Sequence, residues 1–155
     1  LQIVLRATGS DDLYRPQLVA LNLQDIVRLE PAIAYRDALR EMLRADGLLL
    51  FQGSVCDHQV PAKIYEYYRA GRPILGLVGP EGISATMLRE AGIESQANMA
   101  DTRQIAEVMS VFLGKLRAGK AGGVARDFAM RNSRRARTRE LAQLLDDLMA
   151  TGKLR

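Results

Sequence analysis

The sequence predicts an α/β fold, a Rossmann-like parallel sheet with helices on both faces. Apolar runs of strand length at 48–51 and 74–78 contain no alternating polar residues, which is typical of parallel strands covered on both sides. Amphipathic segments of helix length separate such runs, and connections of about 2 to 6 residues join them, as in compact α/β units. In folds of this class, ligands bind at the carboxyl ends of the strands.

The first half of the chain alternates between the two kinds of element. Strands are predicted at 1–6 and 25–29, followed by a helix at 34–45 and a strand at 48–51. Residues 8–11 are polar and are predicted to form a loop. Pro31 closes the second strand because proline cannot donate to the ladder. The apolar residues of the helix fall on one face, as an amphipathic helix requires.

The second half continues the alternation. Helices are predicted at 61–68, 83–91 and 102–116, with strands at 74–78 and 93–97 between them. Pro61 suits a first helical turn, and Gly71 provides the left-handed cap where that helix ends. Three glycines within 118–123 predict a flexible break before a last helix at 127–149. The predicted divisions are a Rossmann-like domain at 1–116, a glycine-rich linker at 117–126 and a basic amphipathic helix at 127–155.

Charge is distributed unevenly along the chain. Residues 1–114 carry 11 basic and 14 acidic side chains, whereas residues 115–155 carry 11 basic and 4 acidic ones. The net charge of +4 therefore comes from the C-terminal segment. A basic terminal segment suits nucleic acid, anionic lipid headgroups or an acidic partner surface, and charge alone leaves all three open.

Cysteine content and hydropathy exclude two classes of protein. Cys56 is the single cysteine, which excludes an intrachain disulfide and a cysteine-rich metal site. No apolar run approaches the roughly 20 residues of a membrane-spanning helix. We expect a cytoplasmic chain, with attachment to the inner face of the membrane left open.

The most distinctive motif reads Pro-Ala-Lys-Ile-Tyr-Glu-Tyr from Pro61, followed by Ala-Gly-Arg-Pro-Ile-Leu from Ala70. It resembles the signature of nucleotide-sugar-dependent glycosyltransferases of the GT-B fold, in the glycogen-synthase-like, group 1 superfamily. Segments 45–49 and 81–82 are also similar to that family. The resemblance covers roughly residues 1–116, and all of it falls in the family's second, donor-binding domain.

The resemblance implies a site for a nucleoside diphosphate sugar, with no tightly bound cofactor and no metal. Glu66 would bond the ribose hydroxyls, since a carboxylate can accept two hydroxyl hydrogen bonds at once. The helix start at Pro61 and Ala62 would face the diphosphate, with Lys63 reaching a phosphate. The remaining candidate contacts are Gly53, Ser54, His58, Gly9, Gly82, Ile83 and Ser84. Catalytic residues are not assigned.

One position departs from the family's pattern. The family's wider motif has a glutamate eight residues before Glu66, near the transferred sugar, and this chain has His58 there. His58 is either a neutral hydrogen-bond partner for the sugar or a polar loop residue, and the sequence leaves both open. Neighbouring Cys56 and Asp57 do not suggest a metal site, because three adjacent side chains cannot easily converge on one ion.

Two parts of the family's architecture are not visible. The first strand of this chain looks like the family's second, so the opening strand and helix of the domain and the whole acceptor-binding domain are missing. We therefore expect a fragment with little or no transfer activity, whose missing partner is the acceptor-binding domain. The alternatives are a GT-B-fold nucleotide-sugar epimerase and a non-catalytic module that binds nucleic acid or a membrane surface. Nucleic acid is the partner we expect least.

The last predicted helix carries an apolar stripe behind an arginine-rich turn. The stripe consists of Leu141, Leu144, Leu145 and Leu148, and the arginines are Arg131, Arg134, Arg135, Arg137 and Arg139. We expect the stripe to lack its partner in this chain and to favour a homodimer or packing on the helices of the sheet. Attachment to anionic lipid through the same stripe is the alternative.

Overall fold

The computed structural model describes residues 1–151, so the end of the predicted helix at 127–155 lies outside the described residues. It confirms the α/β class, with parallel sheets flanked by helices in an arrangement compatible with a Rossmann-like fold. The elements are β1 (Ile3–Arg6), α1 (Asp11–Ala20), β2 (Val27–Glu30), α2 (Tyr35–Arg44), β3 (Leu48–Gln52), α3 (Lys63–Ala70), β4 (Ile74–Val78), α4 (Ile83–Glu90), β5 (Gln96–Asn98), α5 (Thr102–Arg117), α6 (Arg126–Arg131) and α7 (Arg134–Ala150).

The chain divides into two compact units, the first of which comprises residues 1–39. In it, β1 and β2 pair in parallel from Ile3 opposite Val27 to Arg6 opposite Glu30. The loop predicted at 8–11 is confirmed up to Ser10, but α1, which begins at Asp11, was not predicted. Pro16 inside the helix removes one backbone donor and masks the helical pattern in the sequence.

The second unit begins at Arg40 and contains a three-stranded parallel sheet in the order β3-β4-β5. All five residues of β4 are buried, and successive side chains point to opposite faces. Ile74 and Val78 pack into a cluster with residues of α3, α4 and α6, whereas Leu75 and Leu77 pack against α5. Helices therefore cover both faces of β4, as predicted, whereas Phe51 of β3 is 45% exposed, so the predicted cover of that strand on both sides is incomplete.

The strands form two separate sheets, where the sequence predicted one. Within residues 1–151, β1 pairs only with β2, and β3 pairs only with β4. Each of these two strands therefore has one edge that makes no strand pairing in the described chain. Strand pairing depends on long-range contacts, and the pattern within each strand does not specify its neighbours.

The segment predicted as a linker and a separate helix is packed more closely than expected. Val124 is buried, and Gly123 lies against the backbone of Gly71, where a Cβ atom would collide with it. The single helix predicted at 127–149 is wrong, because the chain forms α6 and α7 with a break at Asn132 and Ser133. The Ser133 side chain accepts a hydrogen bond from the Ala136 N–H at 3.2 Å and so begins α7.

Helix α7 buries none of its side chains. The predicted packing of its leucine stripe on the sheet's helices is therefore not observed, since Leu141, Leu144 and Leu145 are each about half exposed. Within residues 1–151, no helix combines the length and the apolarity that crossing a membrane requires.

Candidate functional site at the carboxyl ends of β3 and β4

A buried glutamine fixes the loop that follows β3. Gln52 is the last residue of β3, and its side-chain amide donates to the carbonyls of Cys56 at 2.5 Å and Gln59 at 2.7 Å. Its side-chain oxygen accepts a hydrogen bond from the Ser84 hydroxyl at the start of α4. One side chain thus joins the end of β3, the loop at 53–62 and α4.

Asp57 joins the same loop to the turn that follows β4. The Ile83 N–H donates to the Asp57 carbonyl at 2.8 Å, and the Asp57 carboxylate lies against the Cα atoms of Gly79 and Gly82. A Cβ atom on either glycine would collide with the carboxylate oxygens. The two loops therefore form one continuous surface at the carboxyl edge of the sheet.

The predicted anion-facing turn begins at Pro61. The Ile64 N–H donates to the Pro61 carbonyl at 3.0 Å, and the Tyr65 N–H donates to the Ala62 carbonyl at 3.3 Å. Ala62 is in the helical conformation, and its methyl side chain cannot cap the helix. Ala62 and Lys63 are exposed, so this helix start is open to solvent at the edge where the loops meet.

Glu66 lies one turn into α3 and is half-buried. Lys63, three residues earlier, lies on the same side of the helix. Burial, and then the negative charge of Glu66, raise the pKa of Tyr67 above its ordinary value. The Tyr67 hydroxyl donates to the Leu49 carbonyl at 3.1 Å, which ties this part of α3 to β3.

The structure brings most of the predicted contacts to one edge of the second unit. The residues found there are Gly53, Ser54, His58, Pro61, Ala62, Lys63, Gly82 and Ile83. Ser84 is buried and bonded to Gln52, so its hydroxyl is engaged inside the protein. Gly9 belongs to the first unit, in the loop after β1, with a left-handed φ of +71°.

The loop side chains differ in exposure. Ser54 and His58 are exposed, and a Cβ at Gly53 would meet open space, so a ligand could approach the backbone there. Among the described residues, no three side chains of histidine, cysteine, aspartate or glutamate are placed to hold a metal ion. What this edge presents is the backbone N–H groups of the exposed residues Ala62 and Lys63, the Lys63 side chain and the Glu66 carboxylate, a combination suited to a phosphorylated diol.

Sequence reasoning missed Gln52 and Asp57 as residues that build this edge. Gln52 carried a usable signal, because a single polar residue closes an otherwise apolar strand, and a buried amide needs hydrogen-bond partners. Asp57 carried no such signal, since its fit against Gly79 and Gly82 depends on the pairing of β3 with β4.

Comparisons with family models, curated proteins and solved structures found no match to this chain.

Proposed function

We propose that this chain is the donor-binding half of a glycosyltransferase, which transfers a sugar from a nucleoside diphosphate sugar to a saccharide or lipid-linked acceptor in polysaccharide biosynthesis. The observation that supports the proposal most is the position of the motif. Its helix α3 starts, open to solvent, at the carboxyl end of β3, and Glu66 lies one turn further along. Ligands of doubly wound sheets bind at this edge.

Each proposed role has a chemical basis. The N–H groups of the exposed residues Ala62 and Lys63 and the positive end of the α3 dipole would attract the diphosphate, and the Lys63 side chain would add a full positive charge. Glu66 would accept hydrogen bonds from two ribose hydroxyls. During transfer, the same N–H groups and lysine would stabilise the negative charge that develops on the leaving diphosphate.

The resemblance equates β1 with the family's second strand, and no described strand corresponds to the family's first. The acceptor-binding half and the catalytic residues would come from outside this chain.

Titration with nucleotides tests the proposal. Uridine and guanosine diphosphate are added to the labelled chain, and amide chemical shifts report both affinity and location. We expect shifts at Gly53, Ser54 and Lys63. Glu66→Gln should weaken binding by about 1.5 to 3 kcal/mol, or roughly 10-fold to 160-fold, because it removes charge-assisted hydrogen bonds to ribose.

Glu107→Gln is the matched control, because it removes the same charge from an exposed position on α5. It should leave nucleotide affinity unchanged. Equal affinity of the Glu66→Gln variant and the unmodified chain, with the fold intact by circular dichroism, would refute the role of Glu66. Shifts confined to residues outside 53–66 and 79–84 would refute the site.

A further inference from the structure

Helix α7 presents a leucine stripe that the rest of the described chain leaves uncovered. Leu141, Leu144 and Leu145 are 48 to 56% exposed, although each is a large apolar side chain. With Leu148 they recur every three or four residues, so they form one face of the helix. The helix is anchored at its start by Ser133, which is buried and caps it. A preformed helix loses less entropy when it binds a partner.

The charges of α7 oppose its own dipole. The first six residues contain four arginines and no acid, whereas the remainder contains Glu140, Asp146 and Asp147 and no base. A helix is stabilised by acids in its first turn and bases in its last, so α7 has the reverse of the favourable arrangement. An antiparallel neighbour of the same sequence would place each charged end beside an oppositely charged end and an opposed dipole.

We propose that α7 binds α7 of a second copy of this chain in antiparallel orientation. With Leu141 opposite Leu144 of the second copy, the leucine stripes face each other. Arg137, four residues before Leu141, is then in line with the stripe and within one residue of the level of Asp147 of that copy, whose side chain borders the stripe. In the chain itself, Arg137 bonds Glu140 at 2.9 Å and the Asn132 side-chain oxygen at 2.7 Å, exposed contacts that leave further guanidinium N–H donors for a second carboxylate.

The distribution of charge favours a second copy over a membrane. Helices that bind anionic lipid have basic residues flanking their apolar face along its length. In α7, the leucines lie in the half that contains Asp146 and Asp147, whereas the arginines precede them. Anionic headgroups would therefore repel the part of the helix that carries the apolar stripe. This inference is independent of the proposed nucleotide site.

Charge reversal on the full chain tests the pairing. Sedimentation equilibrium over about 1 to 500 µM covers the affinities expected of a small interface. Arg137→Glu and Asp147→Arg should each weaken the dimer about tenfold, because each replaces attraction by repulsion at two symmetry-related places. The double variant should restore the dimer, because the exchanged charges again lie opposite each other in the antiparallel pair.

Each single change improves the match between α7 and its own dipole, but it also removes a side-chain bond within the helix, from Arg137 to Glu140 or from Gln143 to Asp147, so helicity is measured for every variant. Circular dichroism should show unchanged or greater helicity. Arg139→Glu is the matched control, since it makes the same charge change on the side of α7 opposite the stripe. It should leave the affinity of the dimer largely unchanged. Leu141→Gln should abolish the dimer without harming the fold, because Leu141 is exposed.

Three outcomes would overturn the proposal. The first is a monomer at every concentration. The second is a dimer whose affinity is the same in both single variants as in the unmodified chain. A dimer that is weakened in the single variants and not recovered in the double variant would also contradict it. The third is co-sedimentation of a monomeric chain with phosphatidylglycerol vesicles that requires Leu141, because the stripe would then bind lipid.

Discussion

Tyr68 connects three helices through one side chain. Its ring is 2% exposed and packs edge-on against Tyr65 of α3 and Phe128 of α6, with centroid separations of 6.3 and 5.5 Å. Its hydroxyl donates to the Met87 carbonyl of α4 at 2.8 Å. Burial, and then the charges of Tyr65 and Glu90, raise its pKa far above the ordinary value of 10.0.

This shift predicts a loss of stability at alkaline pH. The unfolded chain releases the Tyr68 proton near pH 10, whereas the folded chain retains it to higher pH. The contribution of Tyr68 to the free energy of unfolding is therefore fully present below pH 10. It is lost as the pH rises towards the pKa that Tyr68 has in the folded chain. Tyr68→Phe should cost about 0.5 to 1.5 kcal/mol at pH 7 through the lost hydrogen bond. It should also flatten the decline in unfolding free energy above about pH 10.

Urea unfolding of the unmodified chain and the variant at pH 7 and above pH 10 measures both effects. Tyr14→Phe, in the exposed helix α1, is the control and should keep the pH dependence of the unmodified chain. An equally steep decline in Tyr68→Phe would contradict the assignment of the alkaline loss to Tyr68.

Individual residues differ in how much of their role the sequence reveals. The packing role of Tyr68 could be expected, because a helix that covers a sheet must bury part of its surface. Glu66 and Lys63 could be placed on one side of α3 from their spacing alone. The bond from Ser84 to Gln52 could not be predicted, because these residues are 32 positions apart and meet only through strand pairing.

At the scale of elements, the two loops at the carboxyl edge fit together through glycine. Gly79 and Gly82 leave room for the Asp57 carboxylate, which lies directly over them. The Gly82 N–H also donates to the Gly79 carbonyl at 3.0 Å, so the turn before α4 is compact. The position of the proposed phosphate-facing loop thus depends on the absence of a side chain in a neighbouring loop.

Gly79→Ala should destabilise the fold by about 1 to 3 kcal/mol, because the added methyl group overlaps the Asp57 carboxylate. Asp57→Ala in the same chain should recover most of that loss by removing the obstruction. Thermal unfolding of the two single variants and the double variant measures the coupling. Gly53→Ala is the control, since its Cβ would meet no atom within 4 Å. Additive effects of the two changes would contradict the contact.

Elements with a strong local pattern could be predicted, and those that depend on context could not. Strands β3 and β4 are continuous apolar runs, and Gly71 caps α3 with a left-handed φ of 64°, as its sequence indicated. Helix α1 was missed because Pro16 interrupts its pattern. The break between α6 and α7 was missed because the capping role of Ser133 shows only once the chain bends there.

At the scale of the whole molecule, the α/β class followed from the alternation of strands and helices. The number of sheets could not be predicted in this way, because the order of strands and helices along the chain does not determine which strands are neighbours. The two units also differ in burial. The first contains no buried residue, whereas all five residues of β4 are buried in the second. Burial of apolar surface is the dominant favourable contribution to folding, so the units should differ in local stability.

Hydrogen exchange can measure that difference on the intact chain. The Ile3 N–H of β1 donates to Ile26 at 2.8 Å, and the Gly76 N–H of β4 donates to Ser95 at 2.9 Å, so both amides are protected by comparable bonds. We expect the opening that exposes the Ile3 amide to cost at least about 2 kcal/mol less free energy than the opening that exposes the Gly76 amide. The free energies of local openings in a folded protein range up to that of global unfolding. Low concentrations of denaturant should accelerate exchange at Gly76 more than at Ile3, because its opening exposes a larger buried surface. Equal opening free energies with equal denaturant dependence would show instead that residues 1–39 unfold cooperatively with the rest of the chain.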